Sequence, residues 1–208
     1  SSAASDVYKR QYLMSMRQIS DAVYYNVVKE NDFEKNKQDI QSGMNLLYEA
    51  NKEKLRSIAI YNNYGSLMAA EPVASQKEDP DVTSQDWYQK AMEEMENMHF
   101  STPHIQNLFN DTTHRYYWVV SLSRVVELTD QGVPQAGVLL VDMDFSSISR
   151  MMKQINEVNN GQYYYLCDSS GEIVYHPRQI QISDGIYEEN SKRAATYKDG
   201  VYDDAFQV

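Results

Sequence analysis

Four groups of residues in this chain have types and spacings that could hold a small polar molecule. Asp142 ends the apolar run Val138-Leu139-Leu140-Val141. A carboxylate in that setting meets a cationic or hydroxylated solute through charge-assisted hydrogen bonds. The alternative is a helix cap near Phe145, although Asp144 is better placed for that role. Tyr117, Val119, Ser121 and Ser123 alternate with Trp118, Val120 and Leu122. Side chains on a strand alternate between its two faces, so hydroxyls line one face and apolar groups the other. The hydroxyl face suits a polar pocket, or else a solvent-facing sheet surface. Trp87 and Tyr88 open a helical pattern beside a polar loop, where aromatic rings can cover a ligand or simply fill a core. His104 is a candidate hydrogen-bond partner of a solute and a pH-sensitive group.

Other chemistries lack their signatures. The histidines at positions 99, 104, 114 and 176 do not show metal-ligand spacing, and the single cysteine, Cys167, brings no cluster with it. That cysteine lies in a strand-like run, fits a buried inert thiol, and excludes an internal disulfide. The sequence contains no phosphate-binding glycine loop, dinucleotide fingerprint or nucleophile elbow. No enzyme activity, cofactor or metal is therefore expected of this chain. Its formal net charge of −11 argues against nucleic acid as a partner, because phosphate binding needs a basic surface. The hydrophobic fraction of 42% across 208 residues is enough for one large domain or two small ones.

The elements that must position these groups follow from periodicity. Tyr12, Met16, Ile19 and Val23 form an apolar stripe, and Ile40, Met44, Leu47 and Leu55 continue it. A long stalk or signalling helix is expected over 12–54, with a break near Asn31-Asp32. Its heptad-like first stripe is a candidate homodimer contact. Strands are expected at Ser57–Tyr61 and Leu67–Ala70 around a turn at Gly65. Glu71–Ser84 reads as a loop. Thr83–Asp86 fits a capping box before a helix through about Glu96. Further strands are expected at Arg115–Val126 and Ala136–Asp142, joined by a turn at Asp130-Gln131-Gly132. A helix over Phe145–Ile155 follows, capped by Asp144.

A second strand–turn–strand unit, Tyr163–Cys167 and Ile173–Tyr175, aligns with the first when Gly171 is set over Gly65. That offset points to two copies of one module. The fold class expected is α+β, with a long N-terminal helix followed by two tandem PAS-like modules with antiparallel sheets, the second incomplete. The boundaries are 55–144 for the first module, 145–156 for a linker helix and 157–208 for the truncated second. Ser1–Gln11, SSAASDVYKRQ, resembles a translated transposase sequencing adapter and is set aside as non-native. The remainder carries 17 basic and 29 acidic residues.

The ordered set of segments IAIYNNYGSLMAAEP, DWYQKA, FSTPHIQ, YYWVVSLSRVV, GVLLVDMDFSSISRMM and GQYYYLCDSSGEIVYHP resembles the double Cache (dCache) extracellular sensor domains of bacterial receptors. In tone it is similar to those of YesM-like sensor histidine kinases of Gram-positive bacteria. The resemblance implies an extracytoplasmic segment held to the cell membrane by flanking helices, with a small-molecule ligand in the membrane-distal module. It implies output along the first helix to a two-component histidine kinase. Rival outputs are a chemoreceptor or a diguanylate cyclase; a third reading is a structural dimerisation module with no ligand. Family members that bind amino acids carry an arginine two residues before a Trp-Tyr pair, a Tyr-x-Asp, and an aspartate ending a later strand. Here Trp87, Tyr88 and Asp142 match, Gln85 stands at the arginine position, and His104 and Gln106 stand at the Tyr-x-Asp positions. The ligand-binding set implied is Trp87, Tyr88, His104, Gln106, Tyr117, Ser121, Ser123 and Asp142.

Overall fold

The computed structural model describes residues 2–73, 76–77, 80–101, 103–109, 118–146, 150, 153, 166–167 and 173–175, with side chains described for those of them between 13 and 153. Two layers of helix and loop sandwich one antiparallel sheet. Helix α1 (Ser2–Val23) runs into a π-helical turn (Tyr24–Val28), and α2 (Lys37–Asn51) follows after a break. The break falls where Asn31-Asp32 stands. The Asp32 carboxylate gathers backbone N–H groups from Glu34, Lys35, Gln131 and Gly132, which lowers its pKa and ties the break to the far hairpin.

The strands are β1 (Leu55–Tyr61), β2 (Leu67–Glu71), β3 (His99–Phe100), β4 (His104–Ile105), β5 (Trp118–Asp130) and β6 (Val133–Asp144). Their order is β2-β1-β6-β5-β3, with β4 pairing beside β3 along the same edge of β5. Between β2 and β3 lie a 3₁₀ turn (Val82–Ser84) and helix α3 (Asp86–Glu93). Strands β5 and β6 form a hairpin turned by Gln131 and Gly132, both at positive φ. This is the two-residue turn whose twist matches that of its strands. A separate antiparallel pair, β7 (Leu166–Cys167) and β8 (Ile173–Tyr175), lies where the second strand–turn–strand unit was expected.

Alternation along the strands gives the sheet two buried faces. Ile58, Ile60, Val120, Leu122, Leu139, Val141 and Met143 pack with Met16, Ile19, Val23, Ile40 and Met44 of the helices. Ala59, Tyr61, Val138 and Leu140 pack with Trp87, Tyr88 and Ala91 of α3 and with Leu108 and Phe109.

Several expectations are corrected. The stripe of α1 is 0–5% exposed at Met16, Ile19 and Val23, so it is part of the core and does not supply a dimer contact. The capping box does not form: Gln85 is the cap residue without a side-chain cap bond, and α3 ends at Glu93 rather than near Glu96. Strands β5 and β6 run past Val126 and Asp142, because the hairpin continues the ladder to Asp130 and Val133, while β6 extends to Asp144 opposite Val119. Asp142 therefore lies inside a strand, not at its end. The Asp144 carboxylate accepts the Ser146 N–H, as a cap would, but most of 145–156 falls outside the described residues.

Gly137 in β6 is required by close approach. A Cβ there would sit 2.6 Å from the Tyr61 carbonyl oxygen and against Leu128. Gly137→Ala is predicted to lower stability by about 1–3 kcal/mol. Chemical denaturation measures this, and an unchanged midpoint would show that the β1–β6 ladder is looser than described.

Candidate functional site

The register of three neighbouring strands builds a polar spot in an otherwise apolar sheet face. Ser57 of β1 and Ser121 of β5 both stand opposite Asp142 of β6. Asp142 is 2% exposed. Its carboxylate accepts the Ser121 hydroxyl at 2.5 Å and a hydrogen bond from the Ser57 side chain. Burial raises the pKa of this carboxyl, while His104 and the two serines pull it down. The half-buried His104 closes the spot from β4, with Nε2 3.3 Å from Ser121 Oγ and Nδ1 3.3 Å from Ser101 Oγ. The Ser101 N–H donates to the Ser121 carbonyl and the Ser121 N–H to Ser101 Oγ, which holds that edge in register.

Tyr61 completes the spot from β1. Its ring is fully buried, 5.4 Å from the Trp87 ring. Burial pushes its phenol well above the usual tyrosine range, with the Asp142 charge adding to the effect and a side-chain hydrogen bond with Gln76, off normal geometry, opposing it. Among the described residues no hydrogen bond of normal geometry reaches its Oη. A buried hydroxyl in that state calls for an explanation, and a polar ligand is one.

The aromatic cover comes from α3. Trp87 and Tyr88 are both buried, with ring centroids 5.9 Å apart. Ser123 Oγ donates to the Trp87 carbonyl and so pins the helix to the sheet. The Tyr88 hydroxyl donates to the Asn62 carbonyl, which ties α3 to the β1–β2 turn. Gln85 donates to the Pro80 carbonyl and accepts from Trp87 Nε1, so this side chain organises the covering loop.

The eight sequence candidates therefore fall in different places. Ser121 links His104 to Asp142 by contacting both, and Trp87 reaches the same spot through Tyr61. Ser123 and Tyr88 have their hydroxyls engaged in holding α3. Gln106 points its amide into its own loop, accepting from the Leu108 and Phe109 N–H groups and donating to the Phe109 carbonyl. This local cap engages the amide oxygen and one of the two amide hydrogens of Gln106 within its own loop. Tyr117 lies outside the described residues. Sequence reasoning missed Ser57, Tyr61 and Ser101. For the first two the signal was present, because Ser57, Ala59 and Tyr61 share one face of β1 by the same alternation that singled out β5.

The raised pKa of Asp142 has a direct consequence. A carboxyl whose folded pKa lies above its unfolded value of about 3.9 contributes stability below that value. The contribution is lost as pH rises through the folded pKa. Asp142→Asn, which keeps the shape and removes the charge, is predicted to melt above the wild type at pH 8, with the gap closing toward pH 4. A pH-independent difference in melting temperature would contradict this.

A family model of the double-Cache type, the Cache domain, matches residues 2–206. In fold the chain is similar to several solved ligand-binding domains of chemoreceptors. That of Pseudomonas fluorescens CtaA, in complex with L-serine, superposes with a TM-score of 0.60 at 15% identity, covering 86% of this chain and 70% of that one. Pseudomonas aeruginosa PAO1 PctB, in complex with L-Arg, gives 0.59 at 18% identity, covering 86% and 62%. Campylobacter jejuni Tlp3, in complex with 4-methylisoleucine, gives 0.53 at 13% identity, covering 86% and 66%. No curated protein sequence matches the chain. No helix among the described residues is long and apolar enough to cross a membrane. The match over nearly the whole length, on a two-faced antiparallel sheet capped by a long helix, means that the chain belongs to the Cache domain family of ligand-binding sensor modules.

Proposed function

We propose that this chain is the extracytoplasmic sensing part of a membrane-anchored receptor, and that it binds a small solute on the sheet face around Asp142. The observation that carries this reading is a buried carboxylate whose charge acts on a buried tyrosine phenol, both under an aromatic cover. In an interior without a matching charge, such a pair is costly unless a partner satisfies it. A solute with a cationic or hydroxylated group supplies that partner. Gln85, standing where amino-acid-binding relatives carry an arginine, holds the loop and offers no charge to a carboxylate end. This argues for a ligand whose acid end, if present, is held differently.

The route from site to output follows the same strands. Beside Ser123, on the opposite face of β5, Arg124 pairs with Asp21 of α1 at 2.6 Å and lies over the Tyr24 ring of the π turn. A ligand that prefers one arrangement of cover and sheet would shift α1 through this link. The receptor class proposed first is a two-component sensor histidine kinase. A chemoreceptor is the second reading, favoured by the solved chemoreceptor domains that share the fold. Dimerisation through α1 would use its outer face, where Met14 and, in the π turn, Tyr25 are exposed, and not the buried stripe.

Thermal-shift screening against amino acids, amines, sugars and organic acids tests the site. A true ligand is expected to raise the melting temperature by several degrees at saturating concentration, since a 100-fold excess over Kd contributes about 2.7 kcal/mol. Asp142→Ala and Trp87→Ala are each expected to abolish that rise. If both variants leave every ligand-induced shift unchanged, the site is elsewhere.

A further inference from the structure

The contacts of His104 fix more than its position. Ser121 Oγ has one proton, and it goes to Asp142 Oδ1 at 2.5 Å. At the 3.3 Å contact with His104 Nε2, Ser121 can then only accept, so Nε2 carries a hydrogen. The other ring nitrogen faces Ser101 Oγ, which already accepts the Ser121 N–H. In the neutral ring Ser101 donates to Nδ1; in the imidazolium Nδ1 donates to Ser101. Protonation of His104 thus needs only the rotation of one hydroxyl, and no other bond in the chain Ser101–His104–Ser121–Asp142 changes.

The surroundings leave His104 as the natural charge partner of Asp142. Among the described residues, the ionisable groups acting on Asp142 are His104 from β4 and Tyr61 from β1. From α3, the Tyr88 phenol is held by the Asn62 carbonyl, and Lys90 sits in a partly exposed pair with Asp86. From β5, Arg124 faces the helices. An imidazolium two bonds away therefore offsets part of the charge of the buried carboxylate when no solute does, although burial still outweighs it. A cationic solute would place a second positive charge beside the same carboxylate, and like charges at that range disfavour each other.

We propose that His104, Ser121 and Asp142 form one proton-linked unit, so that a cation docking on Asp142 displaces the proton of His104 to solvent and binding strengthens as pH rises. This rests on the reading of the Asp142 face as a solute site, and deepens it by making His104 the residue through which pH regulates that site.

Two measurements on the chain separate the proton linkage from the binding reading. The first follows the histidine ring signals by NMR through a pH titration. Asp142→Asn is expected to move the His104 midpoint downward, and Ser121→Ala to move it less, with the His99 signal unaffected by either. An unmoved His104 midpoint in Asp142→Asn overturns the linkage. The second measures the Kd of ethylammonium chloride against potassium chloride at pH 6 and pH 8. Binding about tenfold tighter at pH 8, with that ratio lost in His104→Gln, supports the proposal, and a pH-independent Kd overturns it. If ethylammonium binds at neither pH while the His104 midpoint moves as expected, the proton-linked unit stands and the cation site falls.

Discussion

Burying one carboxylate in the middle of an apolar sheet constrains much of what surrounds it. Asp142 is on the central strand β6, flanked by β1 and β5, and is almost wholly removed from water. An isolated ionised group there is strongly disfavoured unless it is hydrogen-bonded and compensated. The neighbouring positions answer that demand. Ser57 and Ser121 donate from either side, and His104 approaches over Ser121. Tyr61 is drawn into the same problem, because its hydroxyl is buried beside the negative charge. The result is a site half satisfied by protein and suited to completion by a solute.

The same alternation that makes the site also makes it readable from outside. Every strand residue that faces the site has a neighbour that faces the helices. Ser123 holds α3 through the Trp87 carbonyl, and the next residue, Arg124, holds α1 through Asp21 and Ser20. A second link runs from the start of the covering loop. Glu71, buried at the end of β2, takes hydrogen bonds from Gln41 and Asn45 of α2. Between those two residues, Gly43 lies so close to Val27 of the π turn that a Cβ would stand 2.9 Å from it. Both links converge on the π turn, a form of helix often found at functional positions. Motion of the cover or of β5 is thus mechanically joined to the first helix at one point.

Much of this was legible in the sequence, for definite reasons. Period-two alternation separated Ser121 and Ser123 from Val120 and Leu122 before any register was known. The helix break at Asn31-Asp32 and the hairpin at Gln131-Gly132 follow from local backbone chemistry, which short motifs record. What was not legible depends on contacts between distant segments. The stripe Met16-Ile19-Val23 has the same spacing whether it meets a second helix or a sheet, and here it meets the sheet. Ser57 and Tyr61 become site residues only once β1 is registered on β6 opposite Asp142 and Val138. Gln106 matched a motif position, yet its amide is engaged by its own loop, a choice that depends on the local turn and not on spacing.

The central claim is that Asp142 is held in a poorly compensated state which a solute relieves. Site-specific NMR of the Asp142 side-chain carboxyl carbon through a pH titration of the ligand-free chain tests it most directly. The account predicts a midpoint clearly above the ordinary aspartate value of about 3.9, falling when a bound cation is present. A midpoint at or below that value in the free chain would mean that the protein alone already satisfies the carboxylate, and would contradict the account.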